Sequence, residues 1–187
     1  MTRWEPDARG RLERAAFELY GERGFEQTTV AEIAKRAGLT ERTFFRHFAD
    51  KREVLFGGGS TLAELLVTAV ADAPAGAGPI DAAAAGLAAV GAAIQERRDL
   101  ARQRQAIIAA NRELQERELI KLASLGATLA EALRQRGVEE PAASLAAEAG
   151  IAVFRIAFDR WVNAAGQDEL PAVIRQSLEE LRAVTAA

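Results

Sequence analysis

Between Ala37 and Leu55 the chain reads AGLTERTFFRHFADKREVL, which concentrates aromatic rings, arginines, threonines and the sole histidine, His47, in a few turns. Phe44 and Phe48 are four residues apart, so on a helix they share one face and turn inward with Leu39, Ile33 and Leu19. Glu41, Arg42, Thr43, Phe45, Arg46 and His47 are left around the outside. Arg42 and Arg46 stand one turn apart, with Lys51 and Arg52 at the start of the next helix. Arginine donates bidentately to guanine, and threonine hydroxyls and helix-terminal amides hold phosphates. A short helix with this face suits a major groove about 12 Å wide. The chemistry is recognition of a polyanion by hydrogen bonding and charge.

Other chemistries find little support. The chain has no cysteine and one histidine, which removes disulfides, thiolate nucleophiles, cysteine zinc sites and any multi-histidine metal site. A Ser/His/Asp site would need His47 as base, and no Gly-x-Ser-x-Gly elbow accompanies it. Gly57-Gly58-Gly59-Ser60 lacks the lysine and the preceding strand of a phosphate loop and reads as a joint or helix start. We therefore expect no enzyme, no metal and no cofactor. No apolar run reaches the ~20 residues of a membrane span, and the first residues carry no apolar signal core, so a cytoplasmic protein without membrane contact is expected. Residues 1–56 hold eleven Lys/Arg and ten Asp/Glu, a net +1, and the remainder of the 187-residue chain nets −4. Nucleic-acid binding must then come from a local basic surface on a properly spaced dimer.

The elements around the opening segment are helices. Leu12, Ala15, Ala16, Leu19 and Tyr20 repeat at helical spacing in a first helix of about seventeen residues that Gly24 can end. Thr29-Val30-Ala31-Glu32 is a capping box opening a second helix with a stripe of Val30, Ile33, Ala34 and Ala37. Gly38 turns the chain, Thr40 caps a third helix, Leu39 and Phe44 form a hydrophobic staple, and Asp50 caps a fourth. So short a connection between the second and third helices forces a steep crossing, which is a helix-turn-helix.

The stretch TTVAEIAKRAGLTERTFFRHFADKREVL, Thr28 to Leu55, resembles the DNA-binding domain of TetR-family transcriptional regulators, down to the T-x-x-x-I-A-x-x-A-G core and the closing F-x-x-K. The resemblance covers roughly the first third of the chain. It implies DNA contact at Thr29, Thr40, Glu41, Arg42, Thr43, Phe45, Arg46, His47 and Lys51. Phe45 departs from the family, which usually has tyrosine there with its hydroxyl on a phosphate. Phenylalanine offers only van der Waals contact to sugar or a thymine methyl.

Beyond the glycine joint the chain is alanine- and leucine-rich, with no alternating strand pattern, so the expected fold is all-α: a three-helix helix-turn-helix domain over 1–56 and a helical ligand-binding and dimerisation domain over 57–187, about nine helices in all. Leu62 to Asp72 is a connecting helix. Ile80 to Gln95 is an alanine-rich helix in which Gly86 and Gly91 cost about 1 kcal/mol each relative to alanine, so packing must hold it. Glu96 to Asn111 carries Leu100, Ile107 and Ile108 beside Arg98, Arg102 and Arg104, and a longer helix follows through Leu122, Leu125, Leu129 and Leu133 to Gly137. This part resembles TetR-family members that bind acyl-CoA-like ligands. On that basis Arg102, Gln103, Ile107, Leu125, Leu129, Phe154 and Phe158 are candidate ligand-binding residues, with an arginine rim for an anionic head.

The next helix has one face of Leu145, Ala149, Ala152 and Ile156 and another of Ile151, Phe154, Phe158, Trp161 and Val162, so it is apolar on nearly all sides and must be buried on both. The final helix has a single stripe including Ile174 and Leu178. TetR-like proteins dimerise through this pair, and Ile151, Trp161, Val162, Ile174 and Leu178 are the candidate dimerisation residues. The function expected is a DNA-binding transcriptional regulator: a repressor that binds a palindromic double-stranded operator as a homodimer and is released by a hydrophobic or acyl-CoA-like molecule. The alternative is a helical DNA-binding regulator without a small-molecule ligand, controlled by a protein partner or by abundance.

Overall fold

A computed structural model describes residues 7–166 and 168–186. Among them are ten helices and no strands: α1 (Ala8–Arg23), α2 (Val30–Arg36), α3 (Glu41–His47), α4 (Glu53–Phe56), α5 (Gly59–Asp72), α6 (Pro79–Gln95), α7 (Arg98–Ala109), α8 (Arg112–Gln135), α9 (Ala142–Asn163) and α10 (Leu170–Thr185). α4 is a single turn, so nine of them are longer than that.

The chain divides into two compact units. One runs up to Gly57 and includes Gln103–Glu116; the other comprises Gly58–Arg102 and the chain from Arg117 onward. α7 and α8 thus each begin in one unit and end in the other.

In the first unit, each helix boundary has a local cause. α1 ends at Gly24, whose φ of 85° is open to glycine, and Thr28 turns its hydroxyl back onto the Gly24 carbonyl at 2.9 Å. α2 opens with a complete capping box: Thr29 Oγ1 accepts from the Glu32 amide, and the Glu32 carboxylate accepts from the Thr29 amide. α2 closes with the Gly38 amide on the Lys35 carbonyl and the Leu39 amide on the Ala34 carbonyl, the paired bonds of a Schellman ending, with Gly38 at φ 66°. Leu12, Ala16, Leu19, Tyr20, Phe25, Ile33, Phe44 and Phe48 are buried here. Ion pairs of Arg36 with Glu22 and of Arg23 with Glu32 tie the outer faces of α1 and α2. The 103–116 segment belongs to this unit: the Arg104 guanidinium donates to the Leu55 carbonyl at 2.7 Å and lies over the Phe56 ring, and Arg52 pairs with Glu113.

In the second unit α5 packs on α6, α6 on α9 and α10, and α9 on α10. The core holds Leu66, Val70, Leu87, Val90, Leu129, Leu133, Phe154, Trp161, Leu170 and Ile174. Two glycines in α6 explain why so alanine-rich a helix holds: a Cβ on Gly86 would come within 2.7 Å of Val70 Cγ2, and one on Gly91 within 2.8 Å of Ile174 Cδ1. Gly150 of α9 meets Leu87 and Leu129 in the same way. Among the described residues the one apolar stretch of membrane-spanning length, Glu53–Asp72, is divided into α4 and α5 at Gly57 and Gly58, the latter at φ 84°.

Candidate nucleic-acid interface

α3 is held from three sides. Thr40 Oγ1 accepts from the Thr43 amide at its start, Phe44 is fully buried beneath it, and Phe48 at its end is buried under the Arg9 guanidinium, 4.9 Å above the ring. Fixing these inward residues orients the rest. Arg42 and Arg46 are exposed and make no hydrogen bond or ion pair among the described residues, in a unit where most other arginines are matched with carboxylates or carbonyls. Arg42, Thr43, Phe45 and Arg46 line one concave surface. Two unmatched guanidiniums one turn apart on a braced helix form a donor array with no intramolecular use, and carbonyl or phosphate oxygens are what such an array binds.

The remaining expected residues fall in different places. Glu41 is exposed at the first position of α3, and Thr29 and Thr40 are exposed at the starts of α2 and α3, their hydroxyls already committed to capping. His47 is half-buried, with Nε2 shielded from solvent and without a hydrogen-bond partner. Lys51 does not present its amine outward. Its Nζ donates to the carbonyls of Phe25 (2.8 Å), Glu26 (3.2 Å) and Thr28 (2.9 Å) and sits 4.4 Å from the centroid of the Phe25 ring. An ammonium has three protons and here three carbonyls take them, so Lys51 is a clamp on the α1–α2 turn rather than a free phosphate ligand. The Tyr20 hydroxyl donates to the Lys51 carbonyl at 2.7 Å, and burial first, with Asp50 nearby, pushes its pKa well above the usual phenol value. Asp50 accepts from the amides of Arg52 and Glu53 and from the Arg52 guanidinium. Burial alone would raise its pKa, but these bonds bring it below the ordinary carboxylate value.

The candidate ligand residues are divided between the two units. Gln103 and Ile107 belong to the first unit, where Ile107 is buried. In the second unit Leu129 and Phe154 are core, and Leu125 and Phe158 are half-buried, Phe158 packed between the Phe154 and Trp161 rings. Arg102 is not free at a rim: it donates to the Val162 and Ala164 carbonyls, and Arg98 donates to those of Trp161, Ala164 and Gly166 while lying 5.0 Å over the Trp161 ring. Together the two arginines cap the C-terminus of α9, where cations are favoured by the exposed carbonyls.

The expected dimerisation residues are likewise internal. Trp161, Val162, Ile174 and Leu178 are buried within their own unit, and Ile151 packs against Gly126 of α8. The outward apolar face of α9 is the other one: Leu145 and Ile156 are exposed by 66% and 52%, Ala152 is exposed and Ala149 half-exposed. Val184 of α10 is also exposed.

The site is a braced helix-turn-helix with an unmatched cationic outer face. Residues 13–56 match the sequence profile of the bacterial regulatory proteins of the tetR family. It is 42% identical over 82 residues to TcmR, an HTH-type transcriptional regulator of Streptomyces glaucescens, covering 44% of this chain and 36% of that one. The chain spans about a third of the length of the curated relatives it matches. Among solved structures, FadR of Thermus thermophilus, a TetR-family repressor in complex with lauroyl-CoA, aligns at a TM-score of 0.58 with 25% identity over 92% of each chain. FadR of Bacillus subtilis in complex with stearoyl-CoA aligns at 0.65 with 22% identity, over 92% of this chain and 96% of that one. These relatives are transcriptional regulators, not enzymes.

Proposed function

We propose that the protein is a cytoplasmic repressor that binds a palindromic operator as a homodimer and is released by a long-chain acyl-CoA. The observation that carries the DNA-binding part is the unmatched Arg42 and Arg46 pair on α3. With Thr40, Glu41, Thr43, Phe45 and His47 around them, they meet base edges and phosphates in successive major grooves. Half-sites then lie about one helical turn, roughly 34 Å, apart or a near multiple of it. The twin subunit is met by the outward stripe of α9, Leu145, Ala149, Ala152 and Ile156, joined by Val184. Its small alanines permit close helix approach across a two-fold axis.

The two acyl-CoA complexes among the structural neighbours support the effector class. The acyl chain enters at the margin of the second unit's core, where Leu62, Val67, Leu122, Leu125 and Phe158 are half-buried. Ligand preference for the released form must reach about 5.5 kcal/mol to turn an operator complex from almost all bound to almost all free. About seven methylenes transferred from water at about 0.8 kcal/mol each supply that. Because Arg98 and Arg102 hold α9, the anionic head is recognised elsewhere, which separates this reading from a simple arginine rim.

The test is a titration of lauroyl-CoA, stearoyl-CoA and the free fatty acids into the protein–operator complex. Release by acyl-CoA is expected. A complex that persists in all of them removes the effector and leaves a DNA-binding regulator controlled by a partner or by abundance, a reading favoured by the closed packing of Leu129 and Phe154.

A further inference from the structure

We infer that Phe45 reads the 5-methyl group of a thymine, so that the protein selects T over the other bases at one position of each half-site. The inference rests on the DNA-binding reading of α3 given above. Three neighbouring aromatic residues behave differently: Phe44 and Phe48 are buried, whereas Phe45 is 55% exposed. Its ring is nevertheless not loose. It stands edge-on to the fixed Phe44 ring, centroids 5.5 Å apart at 84°, so its orientation is set by the core. It also lines the concave surface shared by Arg42, Thr43 and Arg46.

A phenyl group has no donor or acceptor, so it cannot distinguish bases by hydrogen bonds or hold a phosphate. In the major groove the one apolar feature a base pair presents is the thymine methyl. The guanidiniums of Arg42 and Arg46, three residues before and one after, are unmatched by acids and lie on the same side of the helix. With both anchored on neighbouring phosphates or guanines, the ring between their stems is carried against the base edge. A methyl buried there contributes about 0.8 kcal/mol, about fourfold in affinity per half-site and about fifteenfold for a symmetric dimer.

The experiment replaces each operator thymine in turn by uracil, which deletes only the methyl, and measures dissociation constants for wild-type protein, Phe45→Ala and Phe45→Leu. Wild-type protein should lose about fourfold at one thymine per half-site and little elsewhere. Phe45→Ala should bind thymine and uracil operators alike there, and Phe45→Leu should keep part of the discrimination. Circular dichroism checks that both variants retain the wild-type helix content. The inference is overturned if wild-type protein binds every uracil-substituted operator as tightly as the parent, or if Phe45→Ala keeps the thymine preference. It is equally overturned if Phe45→Ala weakens all sequences uniformly, which is the signature of a ring on sugar. Failure of the wild-type protein to bind any operator fragment strikes instead at the DNA-binding reading, so the two failures are told apart.

Discussion

Replacing Lys51 by methionine separates two roles for its amine. Methionine keeps most of the stem that packs on Phe25 and deletes the charge. Three hydrogen bonds to the Phe25, Glu26 and Thr28 carbonyls disappear, and so does the cation–ring contact at 4.4 Å. At about 1 kcal/mol net for each half-exposed bond, and about 0.5 kcal/mol for the ring contact, the loss is about 3.5 kcal/mol. For a unit of this size 1 kcal/mol shifts the melting temperature by about 4–8 °C, so the N-terminal unit should melt more than about 10 °C lower. Thermal unfolding followed by circular dichroism without DNA, with amide exchange on α1 and α2 to locate the change, measures it. A Lys51→Met protein that melts like wild type yet loses DNA affinity equally on every sequence, with a shallower salt dependence, would refute the clamp and return the amine to a phosphate.

Arg42→Ala and Arg46→Ala should act in the opposite way, costing about 1–3 kcal/mol of operator binding and relaxing the base preference at one position per half-site, with the melting curve unmoved. Ile156→Arg should convert the dimer to a monomer in light scattering, whereas Ile174→Arg, at a buried position, should unfold the second unit instead of dissociating it. Because its bonding partners lower the folded-state pKa of Asp50, its stabilising contribution is fully present above about pH 4, the unfolded value, and is lost as pH falls through the folded value. Asp50→Asn should therefore remove that part of the acid sensitivity when unfolding midpoints are compared between about pH 2 and 5. Gly91→Val should destabilise the second unit by about 1–3 kcal/mol in urea, despite valine's better helix propensity, because its Cβ meets Ile174.

Features of the first unit that depend on residues a few places apart were legible in the sequence. The Thr29–Glu32 box, the Gly38 turn and the Thr40 cap are made within five residues and are found as expected, whereas the residue at the start of α4 is Arg52 and Asp50, two places earlier, accepts from the Arg52 and Glu53 amides. The inward pair Phe44 and Phe48 followed from helical spacing, and with it the outward direction of Arg42, Phe45 and Arg46. Lys51 was misread because its three carbonyl partners lie 23 to 26 residues earlier, and a lysine beside a recognition helix reads the same from sequence whether it turns in or out. Arg98 and Arg102 were misread for the same reason, their partners standing 60 to 68 residues later. On α9 both faces are apolar, and periodicity finds two stripes without ranking them. Size decides, since the larger rings of Phe154 and Trp161 fill the core of the second unit and the leaner face of Leu145, Ala149, Ala152 and Ile156 is left outside.

The three close approaches at Gly86, Gly91 and Gly150 have a mechanical consequence. Wherever a helix lacks a side chain and its neighbour fills the notch, the two backbones are already near their distance of closest approach, and sliding either one drives atoms into contact. Val70, Ile174, Leu87 and Leu129 seat in these notches, so α5, α6, α9 and α10, together with the middle of α8, behave as one stiff keel. Any swelling of the second unit to admit a guest must therefore move side chains at the half-covered margin of the core, such as Leu62, Val67, Leu122, Leu125 and Phe158, rather than the notched backbones. The keel also holds the outward stripe of α9 at a constant curvature, whatever the rest of the unit does.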